Sequence, residues 1–394
     1  MKPEAQSHLP KVLVVVQNPE HQTFFESTLS PYFSLSLYRD VDQAMEECFG
    51  EPAQVIIIDQ NGRSDPNSDR FIEHSNRLKE KGPGLIATAG TDVRFDIRKS
   101  ELNVPSQFIN WPIKSKSLLD AVSKIIGEKA EHVWRELPKE IGQPLTLTVE
   151  EYQGISDAIA NGEPIDCNSA AESCGPLVEA VGTGGHHTLL KAVQSHHNYT
   201  YVHSMRVATL LTLFGYGLGM KGDDLLILST GGLMHDVGKL VTPEQILDKP
   251  GKLTDEEWPV MRDHVTRSSQ LLGESTDVTK GALIIAGQHH EKIDGSGYPK
   301  GLKGTELNEL ARMSVIVDIF GALTDARSYK PPFPQEKAFA ILEGMQTQID
   351  QNLLKIFRAI FEPGSDLTEQ AGRDRYRRLP EQAPQEHANP LNVR

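Results

Sequence analysis

Several histidines in apolar company are the first feature of this chain that could do chemistry. His235 and Asp236 are adjacent in the run Gly232-Leu233-Met234-His235-Asp236-Val237-Gly238-Lys239-Leu240. His289 and His290 follow the helix-like stretch 282–288, His203 sits in 199–204, His264 in 260–264, and Asp318 in the apolar segment 315–320. One such histidine is more often a surface or satisfied core residue than a ligand. The two carboxylates change the balance, because the runs around Asp236 and Asp318 have to pack, and a buried carboxylate is costly unless it is paired or holds a cation. Five imidazoles and two carboxylates without a thiolate suit one or two borderline divalent ions such as iron, manganese or zinc. Lys239 lies four residues after His235 and three after Asp236, so a helix through all three puts it on their face. A lysine aimed at cations needs an anion between them, and phosphate is the natural one; the plainer alternative is a lysine snorkelling at a helix end. The segment Asp294-Gly295-Ser296-Gly297-Tyr298-Pro299 is by itself a turn signal. Beside paired histidines it reads as a rigid wall of the same site.

The elements that must position these groups come from the rest of the pattern. A chain of 394 residues suggests two domains. Residues 11–125 alternate β-branched runs (11–16, 54–58, 84–87, 107–109) with helical patterns, which argues an α/β domain on a parallel sheet. Residues 115–137 read as a long connecting helix and 138–144, with prolines at both ends, as a linker. From 148 to 362 helical periodicity dominates and the fold is expected to be all-α, with 161–187, rich in Gly and Ser, as a loop region around one short helix. Residues 363–394 are polar and charged and read as a tail. The domain boundaries are thus 1–125, 126–147, 148–362 and 363–394. The formal net charge of −14 argues against a nucleic-acid polymer as partner, though a local cluster of cations can still draw in an anionic substrate. No apolar run approaches the length of a membrane span and the start is not a secretory signal. Cys48, Cys167 and Cys174 are too few and scattered for a disulfide framework, so they are read as reduced, in a cytoplasmic protein.

Two motifs carry a resemblance. His235-Asp236-Val237-Gly238-Lys239 is similar to the HDxGK motif. His289-His290-Glu291-Lys292-Ile293-Asp294-Gly295-Ser296-Gly297-Tyr298-Pro299-Lys300-Gly301-Leu302 is similar to the long HHExxDGxGYPxGL motif. Together they resemble the HD-GYP family of cyclic di-GMP phosphodiesterases over roughly residues 175–345. The resemblance implies an all-helical HD-domain bundle holding two divalent ions, iron or manganese first, with zinc, nickel or magnesium as alternatives. Its implied ligands are His203, His235, Asp236, His264, His289, His290 and Asp318, with Asp236 as the bridge. Lys239 would touch the scissile phosphate or assist the leaving group, Arg327 and Lys330 would hold substrate phosphates, and Tyr298 would face the substrate. Tyr199 stands where three-metal members carry a glutamate, which argues for two ions. Gly321, Ser328 and Val265 also depart from the family pattern, without removing a ligand. The implied reaction is hydrolysis of cyclic di-GMP to pGpG, or on to GMP. Hydrolysis of another cyclic dinucleotide such as cyclic GMP-AMP, or a non-catalytic cyclic di-GMP sensor, are the alternatives.

The first domain resembles a response-regulator receiver, flavodoxin-like in fold, that has lost its chemistry. Gln17-Asn18 replaces the acidic pair, Asp59 occupies the phospho-acceptor position, Thr88 the switch position, and Trp111-Pro112 the usual Lys-Pro. Magnesium needs the carboxylates, so Asp59 is expected not to be phosphorylated efficiently; the plainer alternative makes it a surface residue at a strand end. The resemblance also suggests a homodimer and signalling-protein partners.

Overall fold

The computed structural model describes residues 9–362 except 51, 61–66, 68–69, 75–81, 91–103, 197, 248, 250, 276 and 326–331. The chain divides into two compact units. The first is built on a five-stranded parallel sheet: β1 (Lys11–Val15), β2 (Ser34–Tyr38), β3 (Val55–Asp59), β4 (Gly84–Ala89) and β5 (Ser106–Asn110), in the order β2-β1-β3-β4-β5. A parallel sheet covered on both faces needs unbroken apolar strands, and β3 and β4 are buried along their whole length. Val12, Val14, Val55 and Ile57 pack on one side with Phe25, Leu118, Val122 and Ile125. Leu13, Val15, Ile56 and Ile58 pack on the other with Val41, Met45 and Phe71. β2 was not expected, because its Ser-Leu-Ser-Leu-Tyr sequence is half-buried at the sheet edge and too short and polar to stand out.

Asp59 ends β3 beside Thr88 of β4. It is not the surface residue of the plainer alternative: it is 2% exposed. Thr88 Oγ1 and Trp111 Nε1 donate to its Oδ1 at 2.7 and 2.8 Å. His21 Nδ1 lies 2.7 Å from its Oδ2, with the imidazole stacked on the Trp111 ring. A carboxylate at a strand end would be solvated if the strand stopped at a bare edge; here the aromatic pair closes over it.

The second unit is helical. The expected linker over 138–144 is corrected: a helix runs Lys139–Asn161, across the boundary placed at 147. Pro138 is its N-cap, where a missing N–H costs nothing, and Pro144 forfeits only one bond in the second turn. Ile141, Leu145, Val149, Tyr152 and Ile155 fall on one buried face, and burying each is worth about 1.5–3 kcal/mol, which outweighs a proline penalty of about 3 kcal/mol. The expected loop region at 161–187 is likewise a helix over most of its length, Cys167–Gly182, started by the Asp166 side chain accepting from the Asn168 and Ser169 N–H groups. Ala170, Cys174, Leu177 and Val181 give it a buried stripe that the surrounding Gly and Ser had obscured. All three cysteines are free and buried.

At the centre, the helix Tyr199–Gly217 is buried on nearly every side, as expected of a helix that is apolar all round. It packs against the helices Asp223–Met234 and Glu309–Thr324. Glu257–Gly273 and Lys280–Gln288 complete the part of the bundle that carries the histidines. No described helix is long and apolar enough to cross a membrane. The polar segment 363–394 lies outside the described residues.

Candidate metal centre

The five histidines reach the site from four helices, His289 and His290 together from the end of Lys280–Gln288, and close backbone approaches set the spacing. Gly232 lies against the helix Tyr199–Gly217, where a Cβ would meet Ala208 Cα at 2.7 Å. That contact brings His235 towards His203. The helix ends at Met234, and the chain turns through Asp236 into a 3₁₀ segment, Val237–Val241. The expected single helix through His235, Asp236 and Lys239 is therefore corrected. The tighter turn still returns Lys239 to Asp236, because its N–H donates to the Asp236 carbonyl at 2.9 Å and its Nζ pairs with Asp236 Oδ2. Gly238 lets this turn rest on the backbone of His264 and Ser268, which sets His264 beside the same carboxylate.

The seven sequence-identified groups, His203, His235, Asp236, His264, His289, His290 and Asp318, converge. Asp236 is 0% exposed and lies between two sets of rings. Its Oδ1 is 3.2 Å from His264 Nε2 and 3.6 Å from His289 Nε2. Its Oδ2 is 3.2 Å from His235 Nε2 and 3.8 Å from His203 Nε2. Asp318 Oδ1 is 2.9 Å from His203 Nε2, and its Oδ2 is 3.5 Å from His290 Nδ1. His264, His289 and His290 form one group able to hold a metal ion, and His203, His235 and Asp236 another.

The hydrogen bonds on the far side of each ring decide what the near side offers. His235 Nδ1 is 2.8 Å from the Gly232 carbonyl, His264 Nδ1 is 2.6 Å from that of Met261, and His289 Nδ1 is 3.0 Å from that of Ala286. A carbonyl only accepts, so these Nδ1 atoms carry the protons and the Nε2 atoms present lone pairs to Asp236. His264 Nε2 and His289 Nε2 stand 3.4 Å apart. Two lone pairs facing each other beside a carboxylate repel unless a cation lies among them. His235 Nε2 and Asp236 Oδ1 are also buried without a hydrogen-bond partner, which is costly for groups that a metal would satisfy. The donor set fits divalent ions of borderline softness.

Electrostatics point the same way. Burial holds His289 well below the usual imidazole range and pushes His290 down to about 4, so both rings are neutral, as ligation requires. Burial opposes charge on Asp236, but His235 and Lys239 overcome it and hold the carboxyl well below its ordinary value. Burial is also the largest influence on Asp318, and the His203 hydrogen bond overturns it, keeping that carboxyl ionised. His203 loses stability as a cation through burial, yet its bonds to Asp318 and Asp325 raise it to about 9. A proton there stands in for the positive charge that a cation would bring, and a bound ion would displace it from Nε2.

Residues 187–353 match the family model described as HD domain. A 3′3′-cGAMP-specific phosphodiesterase of Vibrio cholerae is 40% identical over 161 residues, covering 41% of this chain and 35% of its own length. A cyclic di-GMP phosphodiesterase of Pseudomonas aeruginosa is 35% identical over 161 residues, covering 40% of this chain and 38% of its own. The chain carries an HD domain. A probable cyclic di-GMP phosphodiesterase of Vibrio cholerae aligns over 365 residues at 27% identity, 88% of this chain and 76% of that one. The chain thus spans little more than a third of the length of the first two relatives.

Within this HD domain the Gly-Tyr-Pro segment lies against His290 through Tyr298. Glu291, fully buried, accepts from the Lys300 and Leu302 N–H groups at 2.6 and 3.0 Å. Tyr298 N–H donates to the His290 carbonyl at 3.1 Å, and its ring lies 4.8 Å from the His290 ring. Arg327 and Lys330 lie outside the described residues. Sequence reasoning gave Glu291 no role and missed Asp325 and Arg206 altogether. Asp325 Oδ2 accepts from His203 Nδ1 at 2.9 Å, and Arg206 Nε pairs with Asp325 Oδ1. The signal was available: Asp325 follows Asp318 by seven residues, about two helical turns, and caps the end of the helix that carries Asp318. A carboxylate behind a ligating imidazole fixes its tautomer and makes it a better donor.

Proposed function

We propose that this HD domain is a two-metal phosphodiesterase that opens cyclic di-GMP to pGpG, or on to GMP. The observation that carries the reading is Asp236, whose Oδ2 faces His235 Nε2 and whose Oδ1 faces His264 and His289 Nε2. His264, His289 and His290 would hold one ion, His203, His235 and Asp318 the other, with Asp236 shared. Iron or manganese suits the donors best, with zinc, nickel or magnesium as alternatives. The ring of Tyr199 stacks on His203 with centroids 6.1 Å apart, and an aromatic ring in that place supports two ions rather than three. Divalent ions so placed supply a nucleophile from water near neutral pH and stabilise charge on phosphoryl oxygens.

The chain's own residues do the rest. Lys239 would give up part of its pairing with Asp236 to meet the scissile phosphate or the leaving oxygen as charge develops. Tyr298, held over His290, would orient the nucleotide beside it, and Arg327 and Lys330 would hold its phosphates. The names of the relatives also support a second substrate, 3′3′-cGAMP. Protein loaded anaerobically with Fe(II) or Mn(II) is expected to turn over cyclic di-GMP, 3′3′-cGAMP or both, with linear products separable by chromatography. Fully loaded protein that binds cyclic di-GMP without cleaving either substrate would instead be a sensor.

The same proposal assigns the first unit as a receiver-like, flavodoxin-like domain that takes no phosphoryl group. The strand order supports the fold. The chemistry is blocked because both oxygens of Asp59 are committed to Thr88, Trp111 and His21, and Gln17 and Asn18 bring no carboxylate for magnesium. Incubation with acetyl phosphate and Mg²⁺ is expected to leave the intact mass unchanged; a gain of one phosphoryl group mapped to Asp59 would overturn this assignment. A role in homodimerisation or in binding signalling partners follows more naturally for such a unit than a phosphorylation switch.

A further inference from the structure

A guanidinium stands at the rim of the metal centre with no role in holding it. Arg262 precedes His264 by two residues and is exposed. Its guanidinium carbon lies 5.0 Å from the Tyr298 ring centroid and 5.7 Å from that of Trp258. The Tyr298 ring is in turn 4.8 Å from His290. Trp258 is 45% exposed, unusual for an indole in a well-packed domain. The neighbouring Asp263 is committed to Arg267 at 2.9 Å, and among the described residues Arg262 makes no ion pair.

An arginine held against aromatic faces keeps its N–H edge pointed outward in a fixed plane, poised for a two-pronged acceptor. An exposed indole beside it offers a face on which a flat heterocycle stacks. The Tyr298 ring touches both the Arg262 guanidinium and the His290 ring, so the pair borders the metal centre on the His290 side.

We propose that Trp258 and Arg262 form a purine subsite in which the indole stacks on the base and the guanidinium reads the O6 and N7 edge of guanine. The assignment rests on the cyclic-dinucleotide reading above. Guanine offers two acceptors along that edge, whereas adenine replaces one with an amino donor that faces the guanidinium unfavourably. The subsite therefore favours a guanine-containing cyclic dinucleotide over cyclic di-AMP.

The test uses full-length Mn(II)-loaded protein and three substrates: cyclic di-GMP, cyclic di-AMP and bis(p-nitrophenyl) phosphate, which has no base. Arg262→Ala is expected to raise KM for cyclic di-GMP about ten- to hundredfold, with kcat, metal content and bis(p-nitrophenyl) phosphate hydrolysis little changed. Cyclic di-AMP kinetics should hardly move, so the preference for guanine collapses. Arg262→Lys keeps the charge without the fork and should not restore it. Trp258→Ala should weaken both dinucleotides. Equal losses for the two dinucleotides from Arg262→Ala, as a phosphate contact would give, overturn the base assignment. So does an unchanged KM, or a parallel loss of bis(p-nitrophenyl) phosphate hydrolysis. Wild-type protein that cleaves bis(p-nitrophenyl) phosphate but no cyclic dinucleotide overturns the substrate reading and this subsite with it, while leaving the metal centre standing.

Discussion

Asp236→Asn protein is expected to lose its metal and its phosphodiesterase activity together. The amide keeps the shape of the carboxylate but presents one oxygen and one N–H₂ group to imidazole nitrogens on both sides. One set of rings then faces a donor it can bond directly, and the shared anionic bridge is gone. Turnover should fall by about a thousandfold or more, since several kcal/mol of transition-state stabilisation leave with the ions. Metal analysis after gel filtration should find well below one ion per chain. Breaking a buried ion pair by removing one partner costs about 3–5 kcal/mol. The cost here should be smaller, because the Lys239 side chain is 18% exposed and can turn towards water, unlike the Asp236 side chain at 1%. A thermal melt close to that of metal-free wild type would show that the loss is one of ligation rather than of folding. Metal-replete Asp236→Asn protein with full turnover would refute the bridging assignment.

Lys239→Met should separate the two properties that Asp236→Asn removes together. The lysine is the more solvent-accessible member of the pair. If it acts on the phosphate, its removal lowers kcat about 10²–10³-fold, the scale of losing one preorganised donor, while metal content stays at the wild-type level. If its part is only to hold Asp236 in place, metal content falls instead and kcat per bound metal is preserved. Parallel metal analysis and steady-state kinetics on the same preparation distinguish the outcomes.

The site was far more legible in the sequence than the scaffold around it. His235, Asp236, His289, His290 and Asp318 stand out because titratable side chains interrupt apolar runs, and that conflict is local to a few residues. The helices Lys139–Asn161 and Cys167–Gly182 were hidden because prolines, glycines and serines are read one at a time as breakers, whereas the buried stripes that override them extend over three turns or more. The strand Ser34–Tyr38 exists because β1 pairs with it along its whole length, a tertiary fact that five half-polar residues do not announce. Asp59 was harder still. Its burial depends on His21 and Trp111, which lie 38 and 52 residues away in the chain. Even where the local geometry was misjudged, as with the 3₁₀ turn after His235, the outcome held, because a helix and a 3₁₀ turn both return a residue three positions on to the same side.

The imidazoles are anchored unequally. His235, His264 and His289 each lean on a main-chain carbonyl three residues earlier, and no point mutation can delete a carbonyl. His203 leans instead on a side chain, Asp325, which Arg206 steadies in turn. Three of the five imidazoles are thus insulated from genetic drift, and His203 is adjustable. Relatives or engineered variants that differ in ion preference can be expected to differ first at Asp325 and Arg206, where a single codon retunes one ligand without disturbing the others.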